Sequence, residues 1–250
     1  MKVIGPIIIA VLILISCGSE NSWDCLQTTG EIITEEVEVV NFNAISVLQR
    51  SQLIISQGTQ RVRVETGENL INDVEVYVDN GTLIIDNKNS CNLVRDYGVT
   101  KVYVTIPDIT EIRNASGLPV IGEGVLSVTE LTLTSDDLEE EDLYRKVGDF
   151  RLNLDVDQLT IITNGKSNFF LDGRATAVDI NFLDGDNRCE CTALDVNTLS
   201  VFHRGTNDII IAPQTSVTGE LRSTGNLILR SRPAVVDLQE LYTGRLIYQD

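Results

Sequence analysis

"NGKSNFFL" (164–171), "DGDNRCEC" (184–191), "RGTNDIII" (204–211), "STGNLILR" (223–230) and "YTGRLIYQ" (242–249) are five versions of one pattern, a tight polar turn followed by a short apolar or mixed strand. Aligned on their turns, they set Asn168, Asn187, Asn207 and Asn226 in one column, with Arg245 in the fifth place, at steps of 19, 20, 19 and 19 residues. Between the turns run second strands with the same beat: Leu159-Ile161, Val178-Ile180-Phe182, Leu199-Val201 and Val217-Gly219-Leu221. A unit of this length cannot bury its inward side chains alone. It can do so by stacking on copies of itself, about 4.8 Å apart, with its backbone paired above and below. The spacing therefore predicts an all-β chain built as a parallel β-helix, or β-solenoid, of about 20 residues per coil. Like residues then face like residues. The four asparagines are expected to form a structural turn ladder, and Gly165, Gly185, Gly205 and Gly225 are expected to supply positive φ at corners.

The residues before the repeat also read as strands. "EEVEVVNFNAISV" (35–47), "QRVRVETG" (60–67) and "TKVYVTIPD" (100–108) alternate apolar and polar positions, the period of a half-buried strand. "VEVYVDNGTLIID" (74–86) places Val74, Val76 and Val78 on one face, turns at Asp79-Asn80-Gly81 and returns through Leu83 and Ile85, a strong hairpin signal. One stretch departs from this. "SDDLEEEDLYRKV" (135–147) offers Asp136 and Glu139 as a capping box and two i,i+4 ion pairs, Glu141–Arg145 and Asp142–Lys146. It reads as one to three helical turns on an excursion, or as a solvated charged loop.

At the other end, Lys2 precedes an apolar run, Val3 to Ile15, that stops at Leu14-Ile15-Ser16-Cys17. The run is too short to span a bilayer, which takes about 20 apolar residues, and it has the length of a signal-peptide core. Its end resembles a bacterial lipobox. That resemblance implies a signal peptide over 1–16, cleavage before Cys17, and lipidation of Cys17. Residues 17–30, polar and rich in Ser, Thr and Gly, then read as a tether. Several acyl chains, each buried methylene contributing about 0.8 kcal/mol, hold a protein on a membrane almost permanently.

The chain carries 19 basic and 37 acidic side chains, a formal net charge of −18. Such a surface repels phosphate backbones and anionic headgroups alike, so nucleic acid is not an expected partner, and membrane attachment falls to the lipid.

The ordered series "FNAISV" (42–47), "LIISQG" (53–58), "RVRVETGENLI" (61–71), "DNGTLIIDNKNSCN" (79–92) and "KVYVTIPDITEIRNASG" (101–117), followed by the Gly- and Asn-bearing turns, resembles a known family. It is the putative auto-transporter adhesin, head GIN domain family, common as lipoproteins in the Bacteroidetes. The resemblance runs over nearly all of residues 27–248. It implies a right-handed parallel β-helix with a strand-rich N-terminal part: one domain over 31–250, with strands and hairpin at 31–112 and coils at 113–250. It implies no activity.

Five cysteines remain to be placed. With Cys17 lipidated, Cys25 and Cys91 form a pair outside the repeat, and export favours a disulfide between them. It would close a loop of about 65 residues, for which chain entropy predicts roughly 4 kcal/mol. Cys189 and Cys191 point to one face of a strand. Two inward core residues, a strained disulfide and metal ligation are the three readings. A relaxed bridge needs a local kink, because two residues of extended strand lie near the limit of disulfide reach.

Catalytic motifs are scarce. His203, the single histidine, is expected at a surface turn in "VFHRGTN". Asp184 and Asp186 in "DGDN" read as turn chemistry before weak calcium ligands, and no cofactor or metal site is implied. A non-enzymatic, lipid-anchored envelope protein that binds a glycan or protein of the cell surface is the leading expectation. Its place would be the outer membrane, on the periplasmic or the outer face, with end-on oligomers open to it. The alternative is a carbohydrate-active enzyme of polysaccharide-lyase type on a β-helix.

Overall fold

The computed structural model describes residues 27–89, 96–138 and 144–249. The expected signal peptide, most of the tether, Cys17, Cys25 and Cys91 lie outside the described residues. Within them the fold is all-β, with a single 3-10 turn at Ile71–Asp73. Sixteen strands share one hydrogen-bonded network.

The N-terminal strands are short. They are β1 (Ile32–Val37), β2 (Ala44–Leu48), β3 (Gln52–Gln57), β4 (Arg61–Gly67), β5 (Val74–Asp79), β6 (Thr82–Asn87), β7 (Lys101–Ile106) and β8 (Glu111–Ala115). The expected hairpin is present: β5 and β6 pair antiparallel with Asp79 opposite Thr82. Asn80 and Gly81 both take positive φ, 48° and 82°, as the tightest hairpin turns require. β4 pairs antiparallel with β1 and β7. β2 and β3 pair in parallel, β2 with β6 and β8, β3 with β7 and β9.

From there on every pairing is parallel. β9 (Val120–Ser135), β10 (Phe150–Thr163), β11 (Asn168–Phe182), β12 (Arg188–His203) and β13 (Ile209–Leu221) follow one another across the sheet. β14 (Leu227–Leu229) and β15 (Val235–Glu240) both pair with β13, and β16 (Leu246–Tyr248) pairs with β14. Phe150 faces Phe169, Phe169 faces Cys189, Cys189 faces Ile209, Ile209 faces Leu227 and Leu227 faces Leu246. The offset between partners stays close to the 20 residues expected. It widens where Leu131 faces Leu159, because the charged excursion lies between them.

These long strands are not flat. In β10 the buried side chains run Phe150, Leu152, Leu154 and Val156, then Leu159 and Ile161. Residues an odd number apart point to opposite faces of a flat strand, so Val156 and Leu159 can both be inside only if the chain bends between them. β11 bends between Ala175 and Val178, and β12 between Val196 and Leu199, at positions that pair in register. The core follows this inside surface as columns such as Leu131, Leu159, Val178, Leu199 and Val217, all buried. The rings of Phe150 and Phe169 lie parallel, 4.9 Å apart.

The described parts of the charged excursion, 136–138 and 144–147, are not helical; residues 139–143 lie outside the description. Ion pairs across the fold hold its ends down instead. Arg113 Nη1 meets Asp136 Oδ1 at 3.0 Å, both side chains largely buried, and its guanidinium lies 5.0 Å from the Tyr144 ring. Asp137 pairs with Lys146 and accepts from Asn164 Nδ2 at 2.7 Å. The local i,i+4 pairs that would favour a helix compete with these longer-range partners.

The expected asparagine ladder is corrected by the register. Asn168 faces Arg188, and Asn187 stands one position before it, so the four asparagines fall into two neighbouring columns. The first turn, Asn164 to Ser167, puts Ser167 level with Asn187 of the next turn. In one column Asp149 Oδ1 accepts from Asn168 N and Nδ2 at 3.1 and 2.8 Å. Asp208 Oδ1 accepts from Asn226 N and Nδ2 at 3.3 and 2.9 Å, and Asn226 Oδ1 accepts from Arg245 N at 3.0 Å. In the other, buried Asn187 uses Oδ1 to accept from Ser167 N at 3.0 Å and Thr163 Oγ1 at 2.7 Å. Asn207 Oδ1 accepts from Asp208 N and Arg188 Nη1. The corner glycines are corrected too: of the four, Gly185 alone takes positive φ, +85°. Closeness to the backbone of the neighbouring turn is the wider reason. A Cβ at 165 would lie 2.0 Å from Lys146 O, and one at 225 would lie 2.3 Å from Asn207 O.

Replacing Asn187 by Ala strands the buried Ser167 N–H, whereas Thr163 Oγ1 keeps Ser135 O as its acceptor at 2.8 Å. The expected loss is about 1–3 kcal/mol for the group left without a partner, read as a lower denaturation midpoint in urea. An unchanged midpoint would show that Asn187 is not a structural ladder residue.

Candidate functional site

The site best built for a ligand lies where the antiparallel N-terminal strands give way to the parallel ones. Arg50 sits in the turn between β2 and β3 with φ +61°. For a residue with a Cβ this left-handed conformation is uncommon, and it tends to mark functional positions. Three hydrogen bonds fix it. Its N–H donates to Ser116 O at 3.3 Å, its Nη1 donates to Asn87 O at 3.1 Å, and its carbonyl accepts from Asn87 Nδ2 at 3.4 Å.

A polar network continues inward. Asn87 Nδ2 also donates to Thr100 Oγ1 at 3.1 Å, and that hydroxyl meets Thr66 Oγ1 at 2.8 Å. Asn89 donates from N and Nδ2 to Asn87 Oδ1, at 3.1 and 2.8 Å, and from Nδ2 to Leu70 O at 3.0 Å. Asn89 is 5% exposed, yet its Oδ1 has no hydrogen-bond partner among the described residues. A buried acceptor without a donor is costly.

Two recesses open over this network and share Arg50 and Tyr97. One, about 240 Å³, is lined by Arg50, Asn87, Asn89, Asp96, Tyr97 and Thr100. The other, about 250 Å³, is lined by Gln49, Arg50, Tyr97, Ser116, Arg145 and Val147. Tyr97 is 76% exposed. An exposed aromatic ring beside fixed amides and guanidinium groups can stack on one face of a ligand and hydrogen-bond to its edge. The sequence does not announce this site. Its residues come from five separated stretches, and a left-handed arginine leaves no local signature. The cluster of Asn87 and Asn89 in "DNKN" was the one available signal.

His203 is where the sequence reading fails most clearly. It is fully buried, in register with Leu221 of the next strand and edge-on to the Phe182 ring at 5.4 Å. Nδ1 accepts from Gly205 N–H at 3.2 Å, which leaves the proton on Nε2 to donate to Asn207 O at 2.8 Å. Burial holds its pKa below the ordinary histidine value, against the opposing pull of the Asn207 carbonyl and Asp208. The histidine is a core residue because both ring nitrogens find backbone partners inside the turn.

Asp184 and Asp186 serve their turn. Asp184 Oδ1 accepts from Gly185 N at 2.8 Å, and Asp186 Oδ1 accepts from Thr206 Oγ1 at 2.7 Å. Among the described residues no group of three or more His, Cys, Asp or Glu is placed to hold a metal ion. No helix among them is long and apolar enough to cross a membrane.

The scaffold is all-β, with a left-handed arginine and two polar recesses at its side. The chain belongs to the family described as "putative auto-transporter adhesin, head GIN domain", whose model matches residues 41–233. Solved structures share the fold at low identity. A putative adhesin from Bacteroides fragilis is 19% identical with a TM-score of 0.74, over 89% of this chain and 99% of that one. One from Parabacteroides merdae is 18% identical with a TM-score of 0.61, over 89% and 98%. A "putative lipid binding protein" from Parabacteroides distasonis is 12% identical with a TM-score of 0.61, over 88% and 98%. No curated protein matches the chain.

His203 gives a pH test. The unfolded chain takes up a proton below about pH 6.5, whereas the folded imidazole, its pKa depressed, stays neutral to lower pH. Stability from this residue is therefore complete above pH 6.5 and is lost as pH falls toward the folded value. Urea midpoints measured from pH 7 to 5 are expected to fall more steeply for the wild type than for His203→Gln. Equal slopes would contradict the buried neutral form.

Proposed function

We propose that the chain is a non-enzymatic binding protein of the cell envelope, anchored by lipid on Cys17 after removal of residues 1–16, that takes a saccharide in the recesses around Arg50. In this reading residues 17–30 are the tether, a Cys25–Cys91 disulfide fastens it to the first strands, and the strands wind as a right-handed parallel β-helix over 31–250. The in-register parallel pairing of β9 to β13 and the bends within each strand support that winding, and crossovers between parallel strands are overwhelmingly right-handed. The naming of related structures as adhesins supports a binding role.

One observation carries the choice of site: the buried Oδ1 of Asn89, unpartnered among the described residues, at a recess whose shared wall is an arginine in left-handed conformation. A hydroxyl-rich ligand supplies the missing donor to Asn89. Its ring face packs on Tyr97, and Arg50 and Arg145 donate to its oxygens. The acidic surface as a whole disfavours highly charged polyanions, so neutral and sparsely acidic glycans fit best.

Binding of the purified protein to a panel of neutral and acidic polysaccharides tests this. Arg50→Gly keeps the left-handed backbone accessible and so is expected to fold normally, while it and Tyr97→Ala each weaken binding at least tenfold. Binding unaffected by both would place the ligand elsewhere. Turnover of a polysaccharide, with or without calcium, would instead establish the enzyme alternative. For the anchor, Cys17→Ser is expected to release the protein from the membrane fraction; continued membrane association would refute lipidation as its cause.

A further inference from the structure

Cys189 and Cys191 occupy an odd place in the core. Their columns are otherwise filled by large apolar groups: Phe169 and Ile209 beside Cys189, Ile211 beside Cys191. Both cysteines are buried, at 0% and 1% exposure, with Arg188 and Glu190 between and before them on the outward face. Their sulfurs do not lie apart as two inward core residues would. Sγ of Cys189 stands 2.7 Å from Sγ of Cys191, well inside the contact distance of non-bonded heavy atoms. Against β13 the strand breaks register directly after the pair: Cys189 to Cys191 face Ile209 to Ile211 without interruption, and the pairing shifts beyond Cys191. Pairing of β12 with β11 breaks after Glu190, which faces Phe170, and resumes at Leu194, which faces Gly173. Three residues beginning with Cys191 thus lie against two. A bulge of this kind bends its strand. Metal ligation has no third ligand among the described residues.

We propose that Cys189 and Cys191 are a disulfide modification site, closed within one strand of the core. The step is thiol–disulfide exchange. Both S–H bonds are lost, one S–S bond forms, and the two electrons and two protons pass to the disulfide of an exchange partner, which leaves as two thiols. The partner is a disulfide-bearing oxidase or a small-molecule disulfide of the exporting compartment. Exchange must precede closure of the coils. It needs an accessible thiolate, and in the folded core the contact with Cys191, together with burial, pushes the Cys189 thiol well above its ordinary pKa. The bridge ties two neighbouring core columns together where two cysteines stand among larger apolar side chains.

The test needs no variant. The full-length protein is expressed with export to an oxidising periplasm, denatured in guanidinium with excess N-ethylmaleimide, and digested with trypsin. Cleavage after Arg188 and Arg204 frees one peptide holding both cysteines and no other. The expected product carries no maleimide, is lighter than the dithiol by its two thiol hydrogens, and gains two maleimides only after reduction. One or two maleimides before reduction, or a link from this peptide to Cys25 or Cys91, would overturn the proposal.

Discussion

Everything in this molecule depends on parallel strands pairing in register at an almost constant sequence offset. An isolated strand of this kind exposes two edges of unpaired N–H and C=O groups and an apolar face with nothing to cover it. Pairing in register resolves both at once, since each strand bonds to its neighbours on either side and each column of Leu, Ile and Val closes against its own kind. The bends at Val156–Leu159, Ala175–Val178 and Val196–Leu199 keep both halves of each strand facing one interior. Because they pair in register, a bend in one strand dictates the bend in the next.

The same constraint decides what could be read from the sequence. Strand alternation and the recurrence near 20 residues were legible, since period and spacing survive any substitution that keeps polarity. The Asp-Asn-Gly hairpin was legible because few residues accept positive φ. The asparagine columns were not. A one-residue difference in the length of the first turn moves Asn168 into a different column from Asn187, and turn length does not show in an alignment made on the turns themselves. His203 misled for a related reason. Its neighbours Arg204 and Gly205 mark a corner, yet burial depends on which way the side chain faces there, and the in-register partner Leu221 settles that. The charged excursion showed its boundaries but not its conformation, because Asp136 and Asp137 are held by Arg113 and Lys146 rather than by a helix of their own.

The recesses around Arg50 belong to the least repetitive part of the fold. Within the in-register parallel strands each residue answers to the ones paired with it, which leaves little freedom to shape a pocket. At the junction of antiparallel and parallel strands that pressure relaxes. Asn87, Asn89, Thr66 and Thr100 form a hydrogen-bonded network there, and the backbone at Arg50 holds a left-handed conformation. The proposed site and the regular strands are thus spatially separated.

At β15 and β16, Val235, Val236, Tyr242, Ile247 and Tyr248 are exposed. The pairing described above sets no fixed number of parallel strands, because each strand answers only to its immediate neighbours. Duplication or loss of one repeat would lengthen or shorten such a protein without rewriting the rest, so its size can change by counting modules rather than by redesigning a fold.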